Sequence, residues 1–199
     1  MVIIFLRSDI LKFAILKKRD YLNEEFIDNS LYIDKENHFS KILFIKVIVA
    51  LIYAFYLGYN LFFSGDNYIK YGVKFLMLLI LIYLFIDLPY NIFKALFLPG
   101  AFEKNNIILE INPFNLAIDI TTKKEISKIS LIFSILISIL IFSLIPNILL
   151  IIYGFNIYTY AVASATTIYI VRDLYYFILL LNNINNKLVS TPYMFKFSN

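Results

Sequence analysis

"DLPYNIFKALFLPG", residues 87–100, closes a run of apolar residues long enough to lie in a bilayer, yet it carries Asp87, Pro89, Asn91 and Lys94 within two turns. The twelve residues before it, 75–86, hold no charged side chain. A helix surrounded by hydrocarbon keeps such polarity only where it faces other protein or water. This stretch therefore fixes the class of the chain and marks where a site should be sought.

The whole composition agrees with that class. Of 199 residues, 61% are hydrophobic and only 16% charged, far from the balance of a water-soluble domain. There is no Cys, which removes disulfides, thiolate ligands and thiol nucleophiles together. His38 is the single histidine.

Four stretches reach the roughly 20 residues that cross about 30 Å of hydrocarbon: about 42–63, 75–98, 129–153 and 157–181. Residues 1–41 read as a cytoplasmic amphipathic N-terminal segment and 182–199 as a cytoplasmic tail, with one membrane domain over 42–181. Within the first segment, "VIIFLRSDILKFAILKK" at 2–18 is broken by Arg7, Asp9 and Lys12. It lacks the small-residue cleavage site of a signal peptide, so an interfacial helix is expected, with a strand-plus-helix cap as the alternative.

Basic residues set the orientation. Thirteen Lys and Arg fall in the two tails and the 99–128 loop, against only Lys70 and Lys74 on the other side. Both termini are expected in the cytoplasm of a cell-membrane protein. A net charge of +4 is explained by basic residues facing anionic headgroups, with no need of nucleic acid.

Five charged residues remain inside the spans: Lys46, Asp87, Lys94, Arg172 and Asp173. At ~1.5 Å per residue, Lys46 and Lys94 lie ~6 Å from the cytoplasmic ends of their spans, Arg172 and Asp173 ~12–14 Å, and Asp87 ~16 Å. Lys46 and Lys94 can reach the headgroups by extending along the helix. The deeper three need partners, which points to a charge cluster of Asp87, Lys94, Arg172 and Asp173 shared by the second and fourth spans. Asp87, Asn91 and Lys94 stand at i, i+4 and i+7, on one helical face, with Tyr90 beside them. A structural ion-pair cluster and a functional one both satisfy this pattern.

The order of these features resembles a bacterial family of membrane zincin peptidases, itself distantly similar to site-2-type intramembrane metalloproteases. In that family two spans lead to a His-Glu-x-x-His zinc motif, followed by a small residue, a Pro, a β-hairpin, two more spans and a last-span Asp. Here "YNIFKALFLP" at 90–99, "IILEINPFNLAIDIT" at 107–121 and "VRDLYYF" at 171–177 stand in those places, matching at Ala95, Pro99 and Asp173. The resemblance covers roughly residues 42–181. It implies zinc in the family, but Tyr90, Asn91 and Lys94 replace both imidazoles and the general base. A charged Lys repels a cation, a neutral phenol binds it weakly, and Asn takes no proton. His38 precedes the first span and cannot replace two ligands. No metal or other cofactor is expected, and a pseudoenzyme follows.

The hairpin alternates apolar and polar residues with period two, as a half-buried antiparallel pair does. In the family it resembles, such an edge could receive an extended substrate. In this chain the hairpin is expected to be a cytoplasmic lid plugging the polar cavity, with an edge that takes a peptide strand as the alternative. A Ser164–Lys94 dyad can be assembled on paper but lacks any supporting motif.

The expected fold is an all-α bundle of four transmembrane helices with a small cytoplasmic β-hairpin between spans 2 and 3, kinked at Pro89 and Pro146. The expected function is a non-catalytic zincin relative that binds a membrane protein or an extended peptide within the lipid bilayer. An active metallopeptidase with an unusual motif and a small transporter using the charge cluster are the alternatives, and the sequence leaves the oligomeric state open.

Overall fold

The computed structural model describes residues 3–5, 12–15, 32–64, 68–101, 103, 106–112, 117–183, 187–190 and 194–198. Helix α1, Phe39–Ser64, follows a 3-10 turn at Glu36–His38, and α2 spans Tyr68–Leu96. Helices α3, Lys128–Ile139, and α4, Ile145–Tyr153, form one continuous rod through a π-helical turn at Leu140–Leu144. Helix α5 is Ile157–Leu181. The four resulting rods are long and apolar enough to cross a bilayer, which makes this a multi-pass membrane protein.

Their packing is unequal. In the most apolar stretch of α5 56% of the residues are buried, against 6–11% in the other three rods, so α5 is the helix the others surround. Small side chains allow that enclosure: Ala161, Ala163, Ser164 and Ala165 are all fully buried. The other three turn large apolar residues outward, with Phe55, Met77, Phe85 and Ile151 all exposed, as lipid contact requires.

The breaks follow from local chemistry. Pro146 lacks an N–H, and its ring crowds the carbonyl four residues back, at Phe142; the π-helical turn containing Phe142 accommodates both. Pro89 lies inside α2 without interrupting it. Gly154, at φ 76°, reverses the chain after α4, and Asn156 caps α5 by accepting from the Tyr158 N–H at 2.9 Å.

The strand content exceeds a lone hairpin and corrects the all-α expectation. Strands β1, Ile3–Phe5, β2, Lys12–Ile15, and β3, Tyr32–Asp34, precede the helices. Strands β4, Ile107–Asn112, β5, Ala117–Thr122, and β6, Ile126–Ser127, lie between α2 and α3, while β7, Lys187–Ser190, and β8, Met194–Ser198, follow α5. They form two four-stranded sheets, ordered β1-β2-β4-β5 and β3-β8-β7-β6. Within the 2–18 segment the described residues are therefore strands, not an interfacial helix. β-Branched residues and a parallel partner in β4, with Phe13 opposite Leu109, override the helical spacing.

The sheets abut through Ser190, whose N–H donates to Thr122 Oγ1 at 3.1 Å and whose hydroxyl donates to the Ile120 carbonyl at 3.0 Å. One apolar core then joins helix ends to strands, with Ile42, Ala95, Leu131 and Leu180 packed against Leu109, Ile120, Leu188 and Phe197. Contrary to a half-exposed hairpin, its polar residues Glu110, Asp119, Thr121 and Thr122 are buried. The Thr121 hydroxyl donates to Glu110 at 2.5 Å, which satisfies one of them internally.

The loop leaving α2 is fixed by Asn106. Its backbone carbonyl accepts from the Lys123 N–H at 2.9 Å, and its side-chain oxygen accepts from the Lys124 N–H at 3.3 Å. Gly100 has φ 75°, and a Cβ there would collide with the Asn106 side-chain nitrogen. Gly100→Ala is expected to cost about 1–2 kcal/mol from the left-handed backbone alone, with the collision adding to it. Thermal unfolding in detergent measures this, and an unchanged midpoint would contradict the tight-turn assignment.

Candidate functional site

Four elements bring charge to one place near the sheet-bearing end of the bundle. Helix α2 supplies Asp87, Tyr90, Asn91 and Lys94; α5 supplies Tyr169, Arg172 and Asp173; β5 supplies Asp119. Lys35, in the segment leading to α1, completes the set.

Asp173 is the centre. Its Oδ2 accepts from Lys94 Nζ at 2.6 Å and from the Tyr90 hydroxyl at 2.8 Å, while its Oδ1 faces Arg172 Nε at 3.5 Å. Tyr90 is fully buried, and Lys94 and Asp173 are buried with it. Arg172 continues the network to the sheet, with Nη1 3.3 Å from Asp119 Oδ1. Lys94 is also held through its backbone: its carbonyl, in the last turn of α2, accepts from the Ser134 hydroxyl on α3 at 2.6 Å.

Asp87 forms a neighbouring centre built from neutral donors. Its carboxylate accepts from the Tyr169 hydroxyl, from Asn91 Nδ2 at 3.0 Å and from the Ile118 backbone N–H on β5. Asn91 Nδ2 also lies 2.9 Å from the Tyr169 oxygen. Tyr90 and Tyr169 meet edge to face, with ring centroids 5.2 Å apart, and join the two centres. Among the side-chain atoms of this network, Asn91 Oδ1 and Arg172 Nη2 are buried without a hydrogen-bond partner.

The structure thus brings together Lys94, Arg172 and Asp173, and places Tyr90 and Asn91 beside them. It does not pair Asp87 with Arg172, whose ionic partners are Asp119 and Asp173. Lys46 turns to the protein, donating to the Tyr83 hydroxyl at 2.9 Å and lying over the Tyr169 ring. His38 stays apart, its Nδ1 3.1 Å from the Tyr175 hydroxyl. The Ser164 hydroxyl bonds to the Ala161 carbonyl of its own helix, so it forms no dyad with Lys94.

Asp119, Tyr169 and Lys35 were not singled out by the sequence. Asp119 sits at a polar position of the alternating hairpin, a signal that reads as solvent-facing until the hairpin is seen to be covered. Tyr169 lies four residues before Asp173, on its helical face, and that spacing could have found it. Nothing local marks Lys35.

Lys35 borders a cavity of about 20 Å³ whose wall includes Lys94, Asp119, Asp173, Tyr176 and Ser190. That volume suits about one water molecule. The Lys35 ammonium lies over the Phe195 ring, 4.2 Å from its centroid. Burial pushes its pKa down from 10.5 to about 8, with Arg172 and Lys94 adding repulsion and Asp119 and Asp173 opposing it.

Lys94 Nζ lies 2.6 Å from the Asp173 carboxylate, which is thereby already paired with an ammonium. Among the described residues no group of three or more His, Cys, Asp or Glu converges. Comparison of the chain with protein-family models, curated proteins and solved structures finds no match.

Two expectations follow. A single substitution at a buried pair strands one charge, at ~3–5 kcal/mol, so Lys94→Met and Asp173→Asn should each lower stability in detergent sharply. The double variant should recover much of the loss, whereas strictly additive losses would show the pair is not energetically coupled. For Lys35, the folded state loses its proton at a lower pH than the unfolded state, so stability rises between about pH 8 and 10.5 and the full cost is borne below pH 8. Lys35→Met should lose that alkaline rise. Parallel pH profiles for the two proteins would contradict the assignment.

Proposed function

We propose that this chain is a non-catalytic relative of the membrane zincins, seated in the cell membrane with both termini cytoplasmic, that holds a membrane protein or peptide without cleaving it. The observation that carries the reading is the Lys94–Asp173 contact: an ammonium neutralises the last-span carboxylate where a peptidase of that layout would need a metal. Hydrolysis also needs a base for the attacking water, and the motif position for one is filled by Asn91, whose amide is engaged with Asp87 and Tyr169.

The hairpin's role is that of a lid. Along β5, the Ile118 N–H is taken by Asp87 and the Ile120 carbonyl by Ser190, so this edge is committed to the chain's own groups. A membrane partner is then left the exposed apolar faces of the first three rods. Transport through the cluster would need a wet route, and its cavity suits about one water.

Elemental analysis of the purified protein tests the reading. Well under one zinc per chain, and no metal-dependent cleavage of membrane peptides, is the expected outcome. One tightly held zinc lost on Asp173→Ala would restore the peptidase reading, and solute or proton flux in liposomes would restore the transporter. Reporter fusions test the orientation separately: Lys70 and Asn156 should read as external, Lys124 and Asn199 as cytoplasmic.

A further inference from the structure

Of the charged residues inside the spans, Lys46 alone lies outside the two centres described above. It stands in the rod that begins at Phe39, and its ammonium donates at 2.9 Å to the hydroxyl of Tyr83, the residue midway between Lys70 and Leu96 in the second rod. The Tyr83 and Tyr169 rings lie 5.5 and 5.9 Å from the same nitrogen. Among the described residues no carboxylate is within ion-pair distance of it. Asp173 is held by Lys94 and Arg172, Asp119 by Arg172, and Asp87 by Tyr169, Asn91 and the Ile118 N–H. A hydroxyl and two ring faces orient an ammonium but bring it no formal negative charge.

We propose that Lys46 anchors a docking surface for a partner's transmembrane helix, one that carries an Asp or Glu near the middle of the bilayer. This rests on the reading that the chain holds a membrane partner, and it names the chemistry by which that partner is recognised.

Depth selects the partner. Tyr83 lies ~20 Å along its helix from either end of the span. Lipid phosphates sit at the edges of a hydrocarbon layer ~30 Å thick, ~15 Å from its middle, so the leaflets bring no anion to that level. A spanning helix presents a side chain at any depth, and it keeps a carboxylate there where a cation meets it. The surroundings suit a helix as well. Val47 on α1, and Ile80 and Leu84 on α2, are 50%, 56% and 69% exposed, which leaves large apolar side chains open on both helices next to the polar pair. Lys46 and Tyr83 are themselves only half-buried.

The chain has no Cys, so Lys123→Cys on the exposed loop before α3 accepts a single fluorophore. The labelled full chain is reconstituted in phosphatidylcholine bilayers with acceptor-labelled Leu-Ala transmembrane peptides that differ at one central residue, Asp, Asn or Leu. Energy transfer reports association. The Asp peptide is expected to associate at least about tenfold more strongly than the other two, a preference lost in Lys46→Met and kept in Lys46→Arg. Without peptide, the thermal midpoint of Lys46→Met should hold or rise, because the isolated protein sheds an uncompensated charge. An Asp peptide that binds no better than the Asn peptide, or equally well to Lys46→Met, would overturn the proposal. A Lys46→Met protein that unfolds would also overturn it, since Lys46 would then serve the fold through Tyr83. Loss of the preference on adding phosphatidylglycerol would overturn it in favour of a lipid headgroup as the counter-ion. Mass spectrometry of the recovered peptide keeps the underlying reading separate: an intact peptide leaves that reading standing, and a cleaved one fails it whatever Lys46 does.

Discussion

An ammonium held 2.6 Å from a buried carboxylate, Lys94 to Asp173, is the constraint around which this molecule is arranged. Neither charge can stay at that depth alone, so each needs the other and the groups that satisfy its remaining bonding directions. Those groups come from different parts of the chain. Tyr90 closes Asp173 from α2, Arg172 extends the network along α5, and Asp119 meets Arg172 from β5. The polar cluster is consequently a fastening between the membrane helices and the strands.

The rest of the architecture serves that fastening. Helix α5 can carry Tyr169, Arg172 and Asp173 because it is surrounded by the other rods, and it can be surrounded because its other half is rich in Ala and Ser. The sheets cover the cluster from the end: Asp119 turns inward to meet Arg172, and Glu110 and Thr121 are buried bonded to each other. Asp87 then holds the hairpin at its backbone, through the Ile118 N–H.

Much of this was legible in residue spacing. The four rods follow from apolar length, and the i, i+4, i+7 placement of Asp87, Asn91 and Lys94 marks the face that α2 turns toward α5. The partner of Asp87 was not legible, because Tyr169 and a backbone N–H carry no formal charge and charge counting placed Asp87 only within the four-residue cluster. Asp119 was hidden for a different reason: alternation distinguishes two faces of a strand but does not say whether a second layer covers the polar one. The strands at Ile3–Phe5 and Lys12–Ile15 depend on a partner about a hundred residues away in β4, a pairing that no local periodicity reports.

The most direct measurement of the fastening is hydrogen exchange along residues 117–122 in the wild-type protein and in Asp119→Asn, both in the same detergent or nanodisc. Removing the Asp119 charge breaks the ionic link to Arg172 while leaving Arg172 its contact with Asp173. Faster exchange confined to the hairpin and its neighbouring strand β7, with the remote half of α5 unchanged, is the expected result. Unaltered protection across 117–122 would contradict the claim that the charge cluster holds the strands to the bundle.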